Sequence, residues 1–437
     1  MIAEFRIKNF LSIKTEQCLS FEASTDSLKE SEYCIEVKEG VRLLKTAIIY
    51  GANASGKSNI LFALSFFRDL MINVPKGKTE EIDYRPFLLD ETSLNDRTEF
   101  SMTFYLDGER FVLSIVFDKT KIFTESLVFY PSVQPAKLYT RTYNEQTDST
   151  DIEFGSKLGL TKKGQLAIIG NTINNCSVLA AFGKSNVELS RLNVVYDFFA
   201  KHTPNILGPS VSVSGYIKRH LDKDKDNSIK TFLIEFLKAS DFNISGLELK
   251  EDEEIITPEM EKMIFASPIP EEAKQQMLLK GKISSVELMF KHQTDNGEFE
   301  LPEELESMGT IRFMGMAIIL RKLLQENSIV SIDEIESSLH YELLSYFIKV
   351  FLANSDKNSQ LLMTTHDVNL LNEDFIRRDS VWFTDKDGCG ETHLIRLSSL
   401  GLHKNLSPYN AYKQGKLVKL PFLGSIYLKG DKLCDQR

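Results

Sequence analysis

A glycine-rich segment, GANASGKSN at residues 51–59, follows directly on the apolar run KTAIIY. Gly51 and Gly56 enclose four residues, and Lys57 and Ser58 come next. In a loop of this kind the backbone N–H groups surround a phosphate, and a helix that begins at the lysine directs its positive end to the same point. The spacing predicts a nucleoside triphosphate site, in which Lys57 bridges the β- and γ-phosphates and Ser58 binds Mg²⁺. The predicted nucleotide-binding residues are Gly51, Ala52, Asn53, Ala54, Ser55, Gly56, Lys57, Ser58 and Asn59.

Two adjacent acids, Asp333 and Glu334, follow a second apolar run, SIVSI at residues 328–332. A buried strand that ends in an acid pair suits the hydrolysis of a metal-bound nucleotide. One carboxylate binds the ion, usually through water, and the other activates the attacking water. We therefore predict Asp333 as a Mg²⁺ ligand and Glu334 as the general base.

His366 ends a third apolar run, QLLMTT, and lies 33 residues after Asp333. The amphipathic segment between the two runs, YELLSYFIKVFLANS, predicts a helix. Parallel strands joined by a helix have their carboxyl ends side by side. A lone histidine is more often structural. The position of His366 at the end of a strand next to the acid pair nevertheless favours a functional role, in which it contacts the γ-phosphate or the attacking water.

The tetrapeptide SMGT at residues 307–310 opens a long, mostly apolar segment that predicts a helix to about Asn327. A small hydroxyl and a glycine at a helix start form an anion site, although serine and threonine also serve as ordinary N-caps. Ser307 lies 26 residues before Asp333, which leaves room for one helix, a turn and the buried strand. This spacing favours the functional interpretation of Ser307 and Gly309.

Asp385 and Asp387 form an Asp-x-Asp pair, a spacing that also occurs in the metal sites of some nucleases. Only 50 residues follow Asp387, and the pair belongs to a glycine-containing stretch, WFTDKDGCGE. We predict a plain hairpin turn here, and no nuclease domain.

Composition places the chain among ordinary globular proteins. Its 437 residues suggest two or three domains, and 42% of them are hydrophobic and 26% charged. The net charge of −10 disfavours nucleic-acid binding by the whole surface but leaves a local basic stripe open. Five scattered cysteines without a Cys-x-x-Cys pair argue against zinc and disulfides and for a reducing compartment.

The pattern along the chain predicts an α/β protein with three parts. Residues 1–130 form a strand-rich N-terminal lobe with the phosphate loop and a hairpin around Asp107-Gly108. Residues 131–282 form a mostly helical insertion, and residues 283–437 form a C-terminal lobe. The first ten residues indicate a strand, not a signal sequence, and no apolar run approaches the ~20 residues of a membrane helix. We therefore expect a cytoplasmic protein without a membrane partner.

In combination these motifs resemble the ABC-type ATPase heads of the RecF, SMC and OLD kind. The resemblance is narrower to the RloA- and AbiL-like ATPases linked to restriction and abortive-infection loci, close to the ATPase of the PARIS defence system. It extends over nearly the whole chain and is weakest over residues 131–230. The stretches that carry it are FRIKNFLSI, IIYGANASGKSN, FLKASDFNISGLEL, ESMGTIRF, SIDEIESSLH, LLMTTHDVNLL, DSVWFTDKDGCGETHLIRLSSL and YKQGKLVKLPFLG.

The resemblance implies an ABC/SMC-like P-loop ATPase head with a mostly parallel core sheet, which binds ATP and Mg²⁺ and hydrolyses ATP. It also implies a homodimer or higher homo-oligomer, in which Ser307 and Gly309 contact the γ-phosphate of ATP on a neighbouring subunit. His366 becomes the switch histidine, and residues 336–340 form a loop that acts across the interface. The signature Glu-Ser-Met-Gly-Thr differs from the Leu-Ser-Gly-Gly-Gln of transporters. For the glutamine that senses Mg²⁺, Gln134 and Gln165 are only weak candidates.

Two functions stay open at this stage. The first is a sensor and scaffold of an anti-phage, abortive-infection system that controls a separate effector such as a nuclease or toxin. The alternative is a RecF-like, ATP-dependent DNA-binding protein in repair, so DNA binding also stays open. A transporter subunit is disfavoured because 282 residues separate Gly51 from Asp333. An SMC-like tether is disfavoured because no long coiled-coil heptad run occurs between residues 131 and 285.

Overall fold

The computed structural model describes residues 1–203, 206–209, 211, 213–267, 270–401, 403 and 406–418. The end of the stretch YKQGKLVKLPFLG, from residue 419 onward, and Cys434 lie outside the described residues. The four described cysteines, Cys18, Cys34, Cys176 and Cys389, are free. Within these ranges no helix combines the length and the apolarity that a bilayer crossing requires.

The structure contains both strands and helices, as expected for an α/β protein. The strands are β1 (Ile2–Lys8), β2 (Gln17–Ser20), β3 (Cys34–Lys38), β4 (Val41–Leu44), β5 (Thr46–Gly51), β6 (Thr98–Leu106), β7 (Glu109–Phe117), β8 (Ile122–Tyr130), β9 (Ala136–Asn144), β10 (Ser149–Phe154), β11 (Ile244–Ile255), β12 (Lys282–Thr294), β13 (Gly297–Pro302), β14 (Ile329–Ile332), β15 (Gln360–Thr365), β16 (Val381–Lys386) and β17 (Thr392–Arg396). The α-helices are α1 (Glu30–Tyr33), α2 (Lys57–Ile72), α3 (Lys162–Asn171), α4 (Val178–Lys184), α5 (Ser190–Lys201), α6 (Ser214–Asp222), α7 (Ser228–Ala239), α8 (Pro258–Ala266), α9 (Glu271–Lys280), α10 (Met308–Gln325), α11 (Tyr341–Asn354) and α12 (Pro408–Lys413).

The chain divides into two compact units. The first, which we call the loop unit, comprises Met1–Leu207, Asn327–Ile335 and Asn358–Arg437. The second, the signature unit, comprises Gly208–Glu326 and Glu336–Lys357. The phosphate loop, the acid pair and His366 therefore belong to the loop unit, and Ser307 and Gly309 belong to the signature unit.

A mostly parallel sheet organises the predicted chemistry of the loop unit. Its strand order is β14-β15-β5-β16-β17, and only β17 runs antiparallel to its neighbour. Every residue of β5, β14 and β15 is buried, because a parallel sheet is covered on both faces and its strands are mostly apolar. The apolar runs ahead of the three predicted sites are therefore neighbouring strands, with β15 between the other two.

The second sheet of the loop unit is antiparallel, with the order β10-β9-β8-β7-β6-β1-β2. Its strands alternate buried and less buried residues, and the hairpin of β6 and β7 around Asp107-Gly108 is confirmed. Helix α2 packs into the same apolar core through residues such as Phe67, whose ring centroid lies 5.6 Å from that of Phe5 and 5.8 Å from that of Phe100. The core also includes Leu362 of the parallel sheet. The helix that begins at the phosphate loop is thus held firmly in the core.

The N-terminal sheet extends further along the chain than the predicted lobe. Strands β9 and β10, at residues 136–154, pair in order onto β8 and continue the sheet. The sequence there is polar because β10 is an edge strand with alternate residues exposed. The division at residues 130 and 282 stays a prediction, whereas the compact loop unit continues to Leu207.

The signature unit has a three-stranded antiparallel sheet, β11-β12-β13, and the helices α6 to α11. Helices α7, α10 and α11 meet through aromatic rings, since Phe236 stacks on Phe313 at 5.0 Å and on Tyr346 at 5.5 Å. The predicted long helix after Ser307 is α10, which ends at Gln325, close to the expected Asn327. With 18 residues it is the longest helix among those described.

A buried ion pair in the loop unit gives a test of the fold. Arg141 on β9 and Glu125 on β8 are both fully buried, 3.7 Å apart, and Arg141 also donates to the carbonyl of Asn174 at 2.7 Å. Arg141→Leu leaves the Glu125 carboxylate without its cation, so we expect the free energy of unfolding to fall by about 3–5 kcal/mol. Urea denaturation followed by tryptophan fluorescence measures the change.

The matched control is the exposed pair Lys137–Glu153 on β9 and β10. Lys137→Ala should change the free energy of unfolding by less than about 1 kcal/mol, because exposed pairs are screened by water. Equal effects of the two substitutions would contradict the buried-pair account.

Candidate functional site

The phosphate loop joins the end of β5 to the start of α2, and both of its glycines are required by contacts. A Cβ on Gly51 would lie 2.3 Å from the hydroxyl oxygen of Thr384, and one on Gly56 would lie 2.2 Å from that of Thr392. Gly56 also has a φ of +99°, which side chains rarely adopt. The backbone of Ala54 is left-handed as well, with a φ of 62°. Left-handed backbone at Ala54 and Gly56 is typical of a loop that turns its N–H groups towards an anion, as the sequence predicts.

Hydroxyl groups from neighbouring segments support the loop. The Ser55 hydroxyl shares a hydrogen bond of 2.6 Å with Thr384 on β16. Thr392 on β17 donates to the Ser55 carbonyl at 2.9 Å, and Asn59 donates to the Ser12 hydroxyl at 2.6 Å. The loop is therefore bound on several sides and is preorganised.

Lys57 is the first residue of α2 and is only 5% exposed. Its ammonium group donates to the backbone carbonyls of Gly51 at 3.0 Å and Ala52 at 3.1 Å. A buried ammonium group at the amino end of a helix makes this the most positive part of the loop.

The first acid of the pair connects the parallel strands to the phosphate loop. The Asp333 carboxylate follows β14 and is 7% exposed. One of its oxygens accepts hydrogen bonds from the Ser58 hydroxyl at 3.0 Å and from the Thr364 hydroxyl at 2.6 Å. The two predicted metal ligands, Ser58 and Asp333, are thus in direct contact, although 275 residues separate them in the chain.

The second acid and the histidine lie side by side and are more accessible. The side chains of Glu334 and His366 are 43% and 33% exposed, and Glu334 Oε1 lies 3.7 Å from His366 Nε2. Glu334 has a left-handed backbone with a φ of 48°, which is costly for a residue with a Cβ. Its N–H donates to the Thr364 hydroxyl at 2.8 Å and stabilises this conformation. The strained backbone turns Glu334 away from the path of the strand.

Three threonines that the sequence analysis did not select also belong to this site. Thr364 contacts both acids of the pair, and Thr384 and Thr392 contact the phosphate loop. For Thr364 the available signal was a hydroxyl residue near the end of a buried strand, as in TTH at residues 364–366, whereas Thr392 begins its strand and carried no such signal. Hydroxyl groups there are buried polar groups that need partners, and the site supplies them.

The signature residues adopt a capped helix start in their own unit. Ser307 is the N-cap of α10, and its hydroxyl oxygen accepts from the Thr310 N–H at 3.0 Å. A Cβ on Gly309 would lie 2.9 Å from the carbonyl oxygen of Ser338. Ser338, which has a φ of 62°, belongs to the 336–340 loop. The two segments predicted to act on a neighbouring subunit therefore pack against each other.

The Asp385-Lys386-Asp387 stretch lies at the end of β16, where the β16–β17 hairpin turns. The N–H of Glu391 and the side chain of His393 form hydrogen bonds with the Asp387 carboxylate. These hydrogen bonds hold the pKa of the Asp387 carboxyl below its usual value. The atoms of Asp387, Glu391 and His393 that could bind a metal ion lie within 4.8 Å of one another. Hydrogen bonds of the turn and to Thr15 account for this convergence.

The structure gives no support for a role of Gln134 or Gln165 in Mg²⁺ sensing. Gln134 is exposed in the turn between β8 and β9. The amide of Gln165 on α3 donates to the Leu160 carbonyl at 3.3 Å. The assignment of either residue stays a prediction.

The donor set of the loop unit fits a metal-bound nucleotide. A loop with two glycines that leave no room for a Cβ, a buried lysine and a helix amino end match a chain of phosphates. The adjacent oxygens of Ser58 and Asp333 match Mg²⁺, which prefers hard oxygen ligands. Glu334 and His366 add an accessible carboxylate and imidazole beside them.

Comparison with solved structures returns SMC head domains. One is the SMC head domain from Thermotoga maritima, with 12% identity, a TM-score of 0.42, and coverage of 90% of this chain and 98% of that chain. Another is an SmcHead bound to the C-winged helix domain of ScpA, with 15% identity, a TM-score of 0.43, and coverage of 94% and 99%. A third is an Smc head domain with an extended coiled coil bound to the C-terminal domain of ScpA derived from Pyrococcus furiosus. It has 12% identity, a TM-score of 0.42, and coverage of 94% and 98%.

No curated protein matches the sequence. One family model does match, over residues 47–372, which is well over half of the chain. The matched range begins in β5, ahead of the phosphate loop, and includes the signature, the acid pair and His366. The chain belongs to the family described as "AAA domain, putative AbiEii toxin, Type IV TA system".

Proposed function

We propose that this chain binds ATP with Mg²⁺ on the phosphate loop and hydrolyses it. The observation that carries the proposal is the hydrogen bond of 3.0 Å between Ser58 and Asp333, because it joins the loop to the acid pair. Residues 51–59 would bind the phosphates, and Lys57 would exchange its two backbone carbonyls for phosphate oxygens. Ser58 and Asp333 would hold Mg²⁺, which neutralises developing phosphate charge when bound.

Glu334 is the residue best suited to accept the proton of the attacking water. It is accessible, whereas the buried Asp333 is committed to two hydroxyl groups. His366, whose Nε2 lies 3.7 Å from Glu334 Oε1, would orient the same water or contact the γ-phosphate. Thr364 positions both acids from one hydroxyl group, since it donates to the Asp333 carboxylate and accepts from the Glu334 N–H.

The functional unit in this proposal is at least a dimer. The phosphate loop and the signature belong to different compact units of the chain. The close approach of Gly309 to Ser338 supports a joint role of the signature and the 336–340 loop at one surface. We infer that Ser307 and Gly309 complete the ATP site of a neighbouring subunit.

The biological role we propose is the sensor and scaffold of an anti-phage defence system that controls a separate nuclease or toxin. The family description, "AAA domain, putative AbiEii toxin, Type IV TA system", supports a role in a toxin-based system, and the separate effector is part of our proposal. The alternative is a RecF-like role in DNA repair, and the experiments below distinguish the two roles.

We expect Glu334→Gln to bind ATP normally and to hydrolyse it about 10²–10⁴ times more slowly. The amide cannot accept the proton, while Asp333 and Ser58 keep their contact. Single-turnover hydrolysis and equilibrium binding of ATP measure the two properties. Glu342→Gln, an exposed residue in the first turn of α11, is the control and should hydrolyse ATP like the parent. Hydrolysis by Glu334→Gln at the parent rate would contradict the assignment.

Mixing two inactive variants tests the shared site. Lys57→Ala removes the phosphate contact, and Ser307→Arg blocks the signature by its bulk. A mixed dimer would keep one intact site, with the loop from one subunit and the signature from the other, so we expect hydrolysis to return in part. Each variant alone should be inactive. If mixed dimers form, as shown by differently tagged subunits, and hydrolysis stays absent, the idea of independent shared sites is wrong.

The role in defence is tested with the chain and its neighbouring genes in a bacterial host challenged with phage. We expect the parent to protect, and Lys57→Ala to lose protection together with ATP binding, because no other cation of the described loop can replace a buried lysine. Full protection by Lys57→Ala would separate ATP binding from defence. Sensitivity to DNA damage without any effect on phage would favour the repair role.

A further inference from the structure

Three arginines are buried among the residues that the structure describes, and they differ in their partners. Arg141 pairs with Glu125, and Arg377 pairs with Asp379 at 2.7 Å, so each of these cations faces a carboxylate. Arg312 is 4% exposed, but no acidic residue in the described ranges forms an ion pair with it. Burial lowers the pKa of its guanidinium. A buried cation without a counter-charge destabilises a fold.

The hydrogen bonds of Arg312, the fifth residue of α10, are also incomplete. Its Nη1 donates to the carbonyl of Gly208 at 3.0 Å, whereas its Nε and Nη2 are buried and have no hydrogen-bond partner among the described residues. The Gly208 carbonyl also accepts from the Val211 N–H at 3.3 Å, so it would keep a donor without Arg312. The stability of the fold therefore does not require an arginine here, because an apolar side chain of similar size would leave this carbonyl paired.

Gly208 follows a residue that extends the parallel sheet. Leu207 forms a parallel bridge with Ile332, the last residue of the edge strand β14. The Leu207 N–H donates to the Ser331 carbonyl at 3.0 Å, and the Leu207 carbonyl accepts from the Asp333 N–H at 2.9 Å. Leu207 therefore holds the backbone of the first acid of the pair.

A second contact fixes the same stretch of chain to α10. A Cβ on Gly315 would lie 2.9 Å from the Cβ of Val213, so the glycine allows Val213 to pack closely against the helix. Gly315 lies three residues after Arg312, which places both on one face of α10. The helix that begins at the signature thus holds the chain at Gly208 and again at Val213.

We propose that Arg312 is a positioning residue for the acid pair. In the signature unit, Arg312 holds Gly208. In the loop unit, Leu207 holds Asp333, and the peptide bond between Leu207 and Gly208 joins the two contacts. The buried cation costs stability and keeps Asp333, with Glu334 next to it, in place for hydrolysis. This inference rests on the proposed hydrolysis of ATP for its functional consequence, whereas the positioning is measured on the protein without nucleotide.

The first test compares ATP hydrolysis by the full parent chain and by Arg312→Met, whose side chain fills the space but cannot donate. We expect the rate at saturating ATP and Mg²⁺ to fall about 10–100-fold, as it does for other residues that orient a metal ligand. The Kd of ATP in EDTA should equal that of the parent, because residues 51–59 are unchanged. Arg312→Lys keeps a donor and should hydrolyse ATP faster than Arg312→Met. A parental rate in Arg312→Met, or no gain in Arg312→Lys, would overturn the proposal.

Arg321→Met is the matched control, since it removes another arginine from the same helix. The described hydrogen-bond partner of Arg321 is the hydroxyl of Ser228 on α7, at 3.0 Å. This variant should hydrolyse ATP at the parental rate. An equal loss of rate in Arg321→Met and Arg312→Met would show a general sensitivity of α10 and would overturn a specific role of Arg312.

Thermal unfolding separates a positioning role from a structural one. Arg312→Met removes an unbalanced charge and two buried nitrogens without partners, so its melting temperature should equal or exceed that of the parent. An arginine that only stabilised the fold would give the opposite result, a lower melting temperature with a parental rate per folded molecule. A melting temperature clearly below that of the parent would therefore overturn the proposal.

Amide hydrogen exchange of the protein without nucleotide, read at single residues by fragmentation mass spectrometry, measures the positioning directly. The Asp333 amide donates to Leu207, so it should exchange at least about tenfold faster in Arg312→Met, while residues 51–59 exchange as in the parent. Unchanged exchange at Asp333 would overturn the proposal even if hydrolysis were slower. If the parent failed to hydrolyse ATP but Asp333 exchanged faster in Arg312→Met, the proposed function would be wrong and the positioning by Arg312 would stand.

Discussion

The hydrogen bonds of the Asp333 carboxylate are the constraint on which the site depends. This buried group accepts from Ser58 at the start of α2 and from Thr364 at the end of β15. A carboxylate that is almost fully buried needs such partners, because an unpaired one would be strongly destabilising. The three residues come from distant parts of the sequence, so the contacts fix the relative positions of the phosphate loop, the acid pair and the strand between them. Thr364 extends the constraint to Glu334 by accepting its N–H.

The rest of the loop unit maintains this arrangement. The strands β5, β14 and β15 are buried throughout, which makes their ends rigid reference points. Helix α2 is held by an aromatic core that includes Phe67, so Lys57 and Ser58 at its start have little freedom. Rigid strand ends with an accessible, strained Glu334 are a common arrangement in active sites, where the fold stabilises an unfavourable local backbone.

The sequence was informative where chemistry and periodicity coincide. Apolar runs followed by a glycine-rich loop, an acid pair or a histidine predicted strands whose ends carry function, and the structure has strands at each of these positions. The contacts of residues outside these motifs could not be predicted, because they depend on strand order. Thr364, Thr384 and Thr392 acquire their roles only when β15, β16 and β17 take their places beside the loop. The approach of Gly309 to Ser338 depends in the same way on the packing of α10 against the 336–340 loop. Strands β9 and β10 were missed because their sequences, AKLYTRTYN and STDIEF, are rich in polar residues, and β10 is an exposed edge strand.

The central claim is that Ser58 and Asp333 form a metal site that couples to the phosphate loop. Isothermal titration of ATP into the full chain, with Mg²⁺ and then with EDTA, tests it most directly. The account predicts one ATP bound per chain in Mg²⁺ and at least about tenfold weaker binding in EDTA, since the ion links the phosphates to Ser58 and Asp333. Absence of ATP binding in Mg²⁺, or the same affinity in EDTA, would contradict it.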